Sequence, residues 1–184
     1  MQSILPFDEL NSFEASLRER FADGKLAKED EEDIIDEMLD LFLLAYAMGN
    51  SVTNENLSSD YAPSVDDVMK VVDAKVAGKT WRERAEEYFA NGGSVDDIVR
   101  IAMTESHRDS NAASYEAAKA AGATEKVWHC MMLPTSRDTH IYLDGVSAPI
   151  DGEFYSFRGG KTMFPGEWGI AEEDCNCLCW LTYR

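Results

Sequence analysis

The stretch SVDDIVRIAMTESHRDSNAASYEAAKAAG, residues 94–122, decides the fold. Ser94 with Asp97 three positions on is a helix start, in which a hydroxyl and a carboxylate answer amides that the first turn leaves unpaired. Val95, Ile98, Val99, Ala102 and Met103 then recur on one face, and the helix continues through Ala113 and Ala117 to a stop at Gly122. Within it Thr104, Arg108 and Asn111 fall at i, i+4 and i+7, with Glu105 one turn from Arg108. Three readings of these four residues stand open. They are a polar cluster that orients what packs on the helix, an exposed face with ordinary ion pairs, or a catalytic site. The catalytic reading lacks a nucleophile with a clear base.

Upstream of this helix the chain reads as helical throughout. Ser64-Val65-Asp66-Asp67 repeats the start chemistry of Ser94, without any likeness in the residues that follow, so it is no internal repeat. Thr80-Trp81-Arg82-Glu83 opens another helix, stopped by Asn91-Gly92-Gly93. From about Lys28 to Met48, Ile34, Ile35, Met38, Leu39, Phe42, Leu43 and Tyr46 trace a wide apolar stripe. Leu10, Phe13, Leu17 and Phe21 trace a shorter one that ends at Asp23-Gly24, and the two together read as a helical hairpin. Residues 49–63, poor in apolar side chains, read as a loop.

Downstream of Gly122 the pattern changes. Val127 to Met132 is a β-like run, Pro134 to His140 a turn, and Leu143-Asp144-Gly145 a tight turn. Short β-prone pieces follow at Glu153–Phe157 and Cys177–Tyr183, around Gly159-Gly160 and Pro165-Gly166. The predicted class is therefore α+β: a helical N-terminal two thirds, then a small β-rich, loop-heavy C-terminal module packed on a long helix. Two units are expected, an acidic hairpin over 1–60 and a second unit over 61–184, with helices at 64–122 and the β module at 123–184.

Charge narrows the function. The 184 residues carry 35 acidic and 17 basic side chains, a net charge of -18, and residues 1–60 alone hold 15 acidic against 4 basic. A surface this negative does not wrap a nucleic-acid backbone. The acidic run Glu29 to Asp33 reads either as a face for a basic partner or as a solvated first turn of a helix. The apolar run Met38–Met48 contains Asp40 and is too short to span a bilayer, and Met1 to Leu10 lacks the basic start and apolar core of a secretory signal, so a cytoplasmic protein is expected.

The four cysteines are Cys130, Cys175, Cys177 and Cys179. Cys177 and Cys179 with His140 offer three ligands where zinc takes four, and His107, Cys130, Cys175 or His129 are candidates for the last. The alternative is that the thiols are small buried hydrophobes in a terminal strand and that His140 makes a hydrogen bond in a turn. Cysteine catalysis is disfavoured by the neighbouring Glu172-Glu173-Asp174, since a reactive thiolate wants a cation beside it.

In order and spacing these groups resemble the C-terminal domain of the phage head morphogenesis, or minor head, protein family, also called Mu F-like. That pattern is a Thr-Glu-x-x-Arg-x-x-Asn helix (Thr104 to Asn111), a Trp opening a strand (Trp128), and an Arg-x-x-His step (Arg137 to His140). Leu143-Asp144-Gly145, Phe154, Pro165-Gly166 and a closing Asn176-Cys177-Leu178-Cys179 complete it. The resemblance runs from about Thr80 to the end. Two departures stand out: the family's closing Arg is Leu178, which removes a cation, and the step before Leu-Asp-Gly is the His form and not the double-Cys form.

The resemblance implies a structural and non-enzymatic role as a minor component of tailed-phage heads. Portal and capsid proteins would be its partners, self-association is left open, and neither sequence-specific nucleic-acid binding nor a membrane is involved. Some members travel with the DNA. The location implied is the virion, after assembly in the host cytoplasm. Thr104, Glu105, Arg108 and Asn111, with Arg137 and Asp144, would form a structural polar cluster, and a structural zinc on His140, Cys177 and Cys179, with His107 or Cys130, is the cofactor to test. Two other classes compete. One is a metal-dependent nuclease or effector enzyme with His107, His140 and the cysteines around an open metal. The other is an acidic module that mimics nucleic acid through the Glu29–Asp40 helix.

Overall fold

The computed structural model describes residues 5–21 and 28–184. Five helices come first: α1 (Phe7–Arg20), α2 (Lys28–Leu57), α3 (Val65–Val72), α4 (Trp81–Ala90) and α5 (Val95–Ala120). A module of short elements follows, β1 (Glu125–His129), α6 (Asp138–Leu143), β2 (Ser147–Pro149), β3 (Phe154–Tyr155), β4 (Lys161–Thr162), α7 (Ala171–Asp174) and β5 (Trp180–Tyr183). The fold is α+β. The helix stop expected at Asp23-Gly24 lies outside the described residues.

Capping chemistry sets the helix starts. Ser64 and Ser94 each accept a hydrogen bond from the amide three residues on, and Thr80 with Glu83 forms a reciprocal capping box. The long helix α5 is the axis on which everything packs. Its N-terminal half, with Ile98, Ile101 and Ala102, joins Leu10, Phe13 and Leu17 of α1, Ile34, Met38 and Phe42 of α2, and Trp81 of α4 in one core. Phe42 and Trp81 meet edge to face with centroids 4.9 Å apart. The C-terminal half, with Ala112 and Tyr115, shares a second core with Trp128, Leu143, Phe154, Trp168 and Leu181. From Thr104 to Tyr115 every residue of α5 is buried.

In the module, β1 is the central strand of an antiparallel sheet ordered β2-β1-β5, with Trp128 opposite Leu181, and β3 and β4 form a separate hairpin. Lys126, on β1, is fully buried; its Nζ donates to the Met163 carbonyl at 2.7 Å and lies 4.7 Å from the Tyr115 ring centre. Burial holds this ammonium down, to about 8.

Four local expectations are corrected. Residues 49–57 are helix and not loop, because their backbone lies against α5: Thr53 Oγ1 meets Ser114 Oγ at 2.7 Å, and Asn54 Nδ2 donates to the Tyr61 carbonyl at 2.8 Å. The turn expected over 134–140 is present at Pro134-Thr135, closed by the Ser136 amide on the Leu133 carbonyl, but from Asp138 it gives way to α6, in which the His140 and Ile141 amides donate to the Arg137 carbonyl. β1 stops at His129 and does not reach Met132, since the next amide, of Cys130, turns to Asp144 Oδ1 at 2.8 Å and Met132 takes a positive φ of 53°. Cys177 and Cys179 precede the last strand, in an irregular segment entered through Asn176 at φ 55°. That conformation suits asparagine better than most residues.

Gly49 sits inside α2, where glycine costs about 1 kcal/mol relative to alanine. A Cβ there would lie 2.1 Å from the Ser110 carbonyl oxygen, a backbone atom that no rotamer change moves. Gly49→Ala should therefore destabilise the chain by about 1–3 kcal/mol despite the better helix former. Urea unfolding followed by circular dichroism measures this, and an unchanged or raised midpoint would mean that α2 and α5 do not cross so closely.

Candidate functional site

Two buried polar knots occupy the middle of α5. The first is built on Arg108, whose side chain is 5% exposed. Its guanidinium pairs with Glu105 at 2.7 Å and with Asp109 at 2.8 Å. It also donates to the carbonyls of Val71 (3.0 Å), Val72 (3.1 Å) and Ala74 (3.3 Å), which close α3 at its negative dipole end. Arg84 of α4 reaches Glu105 from the other side. Burial pushes the Asp109 carboxyl up to about 8, against the pull of Arg108 and with a push from Glu105. The knot therefore fastens α3 and α4 to α5.

The second knot faces the cysteine segment. Asn111 Nδ2 donates to the Cys179 carbonyl at 3.3 Å and to the His107 carbonyl at 3.0 Å. His107 Nε2 lies 2.6 Å from the same Cys179 oxygen and 3.0 Å from Asn111 Nδ2. Across α5, Gly166 at φ 93° presses on the helix, and a Cβ there would stand 3.0 Å from the Arg108 Cα. The Pro165-Gly166 step is thus the place where a loop backbone lies flat on the axial helix. Thr104 is buried, and its hydroxyl has no hydrogen-bond partner among the described residues. The residues spaced along one helix face therefore serve different neighbours. Glu105 and Arg108 hold helices, and Asn111 holds the β module.

Arg137 and Asp144 lie in the module and not on α5. Arg137 donates to the Cys175 carbonyl, tying the start of α6 to the cysteine segment. Asp144 is exposed but accepts the Cys130 amide, and the Gly145 amide donates to the Trp128 carbonyl at 2.8 Å. The Leu143-Asp144-Gly145 turn thereby grips the end of β1 while Leu143 enters the core.

His140, Cys177 and Cys179 converge, with their ligand atoms within 4.8 Å of one another. His140 Nδ1 lies 3.5 Å from Cys177 Sγ and 3.4 Å from Cys179 Sγ, and the Cys179 amide donates to Cys177 Sγ at 3.4 Å. A hydrogen bond from Cys179 holds the Cys177 thiol well below its ordinary range, helped by the His107 and His140 rings, while Cys179 itself is pushed up. The downward shift at Cys177 thus comes first from Cys179, two residues on, and then from two histidine rings distant in sequence. The imidazole is set between Trp128 and Trp168, at centroid distances of 5.9 and 6.2 Å.

On the far side of the ring, His140 Nε2 lies 3.2 Å from Glu173 Oε2. Glu173 is buried and accepts from Thr139 Oγ1 at 2.8 Å and Ser156 Oγ at 3.2 Å. A carboxylate behind an imidazole whose other nitrogen faces two sulfurs is the outer layer that orients a metal-ligating histidine. Cys130 lines the same cavity of about 30 Å³ as His140, Cys177 and Cys179. His107 is committed to the carbonyl side of Cys179, Cys175 is only half-buried, and His129 stacks on Trp180 and bonds Thr182.

Sequence reasoning assigns no site role to Arg84, Asp109 or Glu173, the last entering only as one of the acids near the cysteines. Asp109 follows Arg108 directly and offered a signal; Arg84 and Glu173 stand 21 and 34 residues from their partners Glu105 and Thr139 and offered none.

Residues 50–182 match the model of the family described as Phage Mu protein F like protein, and the chain belongs to that family. It is 38% identical over 85 residues to the minor head protein GP7 of Bacillus phage SPP1, covering 45% of this chain and 28% of that protein. It is also 30% identical over 148 residues to the NAD(+)--arginine ADP-ribosyltransferase EFV of Enterococcus faecalis, covering 62% of this chain and 30% of that one. The chain therefore spans less than a third of the length of these relatives. No solved structure matches it.

Arg108→Ala would leave Asp109 buried without its cation and Glu105 with Arg84 alone, and is expected to cost about 3–5 kcal/mol. Arg108→Lys should recover only part of this, because an ammonium cannot span two carboxylates and three carbonyls as a guanidinium does. Thermal and urea unfolding of both variants decide it; a near-zero change for Arg108→Ala would place the pair in water.

Proposed function

We propose that this chain is a structural minor head protein of a tailed phage or prophage, acting in head morphogenesis through assembly contacts at or near the portal. Its location in this reading is the virion, reached by assembly in the host cytoplasm, and it has no turnover site. The observation that carries the reading is the family match over 50–182, the stretch in which the motif residues Glu105, Arg108 and Asn111 are buried and engaged in holding helices and module together. The exposed side chains of the module point the same way. Met131, Met132, Tyr142, Tyr155 and Phe157 are 48–67% exposed, and Tyr142 and Phe157 touch ring to ring, as at a surface meant to be covered by another protein. Of the chain, residues 61–184 would carry the family unit and 1–60 an acidic hairpin laid on it, with the last turns of α2, from residue 50, matching the family as well.

The same reading gives the module a structural zinc on His140, Cys177 and Cys179, with Cys130 as fourth ligand. The donor set fits: two thiols and an imidazole nitrogen meet in one place, one thiol is already shifted toward thiolate, and Glu173 fixes the ring from behind. When bound, zinc would supply cross-links to a module too small to bury much core.

Two measurements test these readings. Co-expressed with the portal and capsid proteins of the same genome, the chain should sediment with the assembled heads in a few copies each; heads that form without it and never retain it would overturn the assembly role. Protein purified without added metal should contain about one zinc per chain, and Cys177→Ser should lose it together with the near-ultraviolet signal of Trp128 and Trp168. A metal-free preparation with an unchanged melting curve would dispose of the zinc.

A further inference from the structure

An open cleft of about 450 Å³ runs between α1 and α2. Its floor is apolar, from Phe13, Leu41 and the 37%-exposed Leu44, and its rim is acidic, from Asp8, Glu9 and Asp40. The basic residues of α1 do not neutralise that rim. Arg18 is held by Glu14 and Asp96, and Arg20 by Glu37, the remaining acid of the cleft. Among the described residues no ion pair engages Asp8, Glu9 or Asp40. Every lining residue precedes position 50, so this surface lies wholly outside the part of the chain that the family model matches.

We propose that this cleft is a docking groove for a basic amphipathic helix of another protein. An apolar floor between two helices takes the i, i+3, i+4, i+7 stripe of such a helix, and the rim carboxylates take the Lys or Arg residues that flank it. Charge decides among occupants. A second copy would bring a segment of net -11 against its equal, and nucleic acid or an anionic lipid surface would be repelled in the same way. A basic partner gains attraction at long range and desolvates only the apolar floor. The groove is independent of the zinc and of the module's own exposed face.

A synthetic Lys/Leu peptide with its leucines on one helical face serves as the probe, with an isomer of the same composition and scattered leucines beside it. Both are titrated into the full chain by calorimetry at physiological ionic strength. The amphipathic isomer is expected to bind at least about tenfold tighter, and Leu44→Asp and Asp40→Lys should each weaken it by about tenfold. Both positions are exposed, so both variants keep the fold, which circular dichroism checks. Glu55→Lys, on the exposed far end of α2, makes the same charge change as Asp40→Lys and should leave binding within about twofold. Equal affinity of the two isomers, or insensitivity to Leu44→Asp, would reduce the effect to non-specific charge attraction and overturn the proposal. Self-association that Leu44→Asp abolishes would assign the groove to a second copy, and would overturn it equally.

Discussion

The fold depends on a helix that is buried on all sides and yet polar in its middle. Between Thr104 and Tyr115 α5 never reaches solvent, although this stretch holds Glu105, His107, Arg108, Asp109 and Asn111. Burying such groups without partners would cost several kcal/mol each, so their partners must be brought in by the rest of the chain. The end of α3 and Arg84 of α4 supply Arg108 and Glu105 with theirs, and the Cys179 carbonyl supplies His107 and Asn111. Two glycines, Gly49 on one side and Gly166 on the other, let neighbouring backbones close on the same turns. Close backbone approach and polar pairing thus fall on the same turns of α5.

The C-terminal module has the opposite problem. Its strands are two to five residues long and its helices four and six, none of which would persist alone. It holds through Trp128, which packs against Phe154, Trp168 and His140, through the buried Lys126, and through the turn that grips the end of β1. The imidazole and two thiols belong to that arrangement and line a small cavity together with the exposed Met131. A support directly beneath an apolar outer face is what the proposed docking role would require of this member of the Phage Mu protein F like family. The N-terminal cleft adds a second face of different chemistry, apolar at its base and acidic at its edge.

Much of this was legible in the residues, and the reason is locality. The caps at Ser64, Thr80 and Ser94 act over three residues, so spacing alone reveals them. The helical stripes over 10–21 and 34–46 needed only periodicity. What failed were the places where a distant contact overrides local preference. Residues 49–57 look like a loop because Gly, Asn, Ser and Thr are weak helix formers, and they are helical because α5 lies against them. The segment before His140 looks like a turn, yet α6 forms there because Thr139 and His140 are drawn down onto Glu173.

The sequence by itself determined the α+β class, the helix starts, and the set of polar residues, cysteines and His140 that matter, since each follows from short-range pattern or from a motif of fixed order. Only the tertiary structure decided who serves whom. It sent Arg108 to the end of α3, gave Asn111 to the cysteine segment, brought Cys177 and Cys179 together with His140, and set Glu173 behind that ring. A side chain's partner is chosen by what the folded chain places within about 3 Å of it, and neither spacing nor composition encodes that distance.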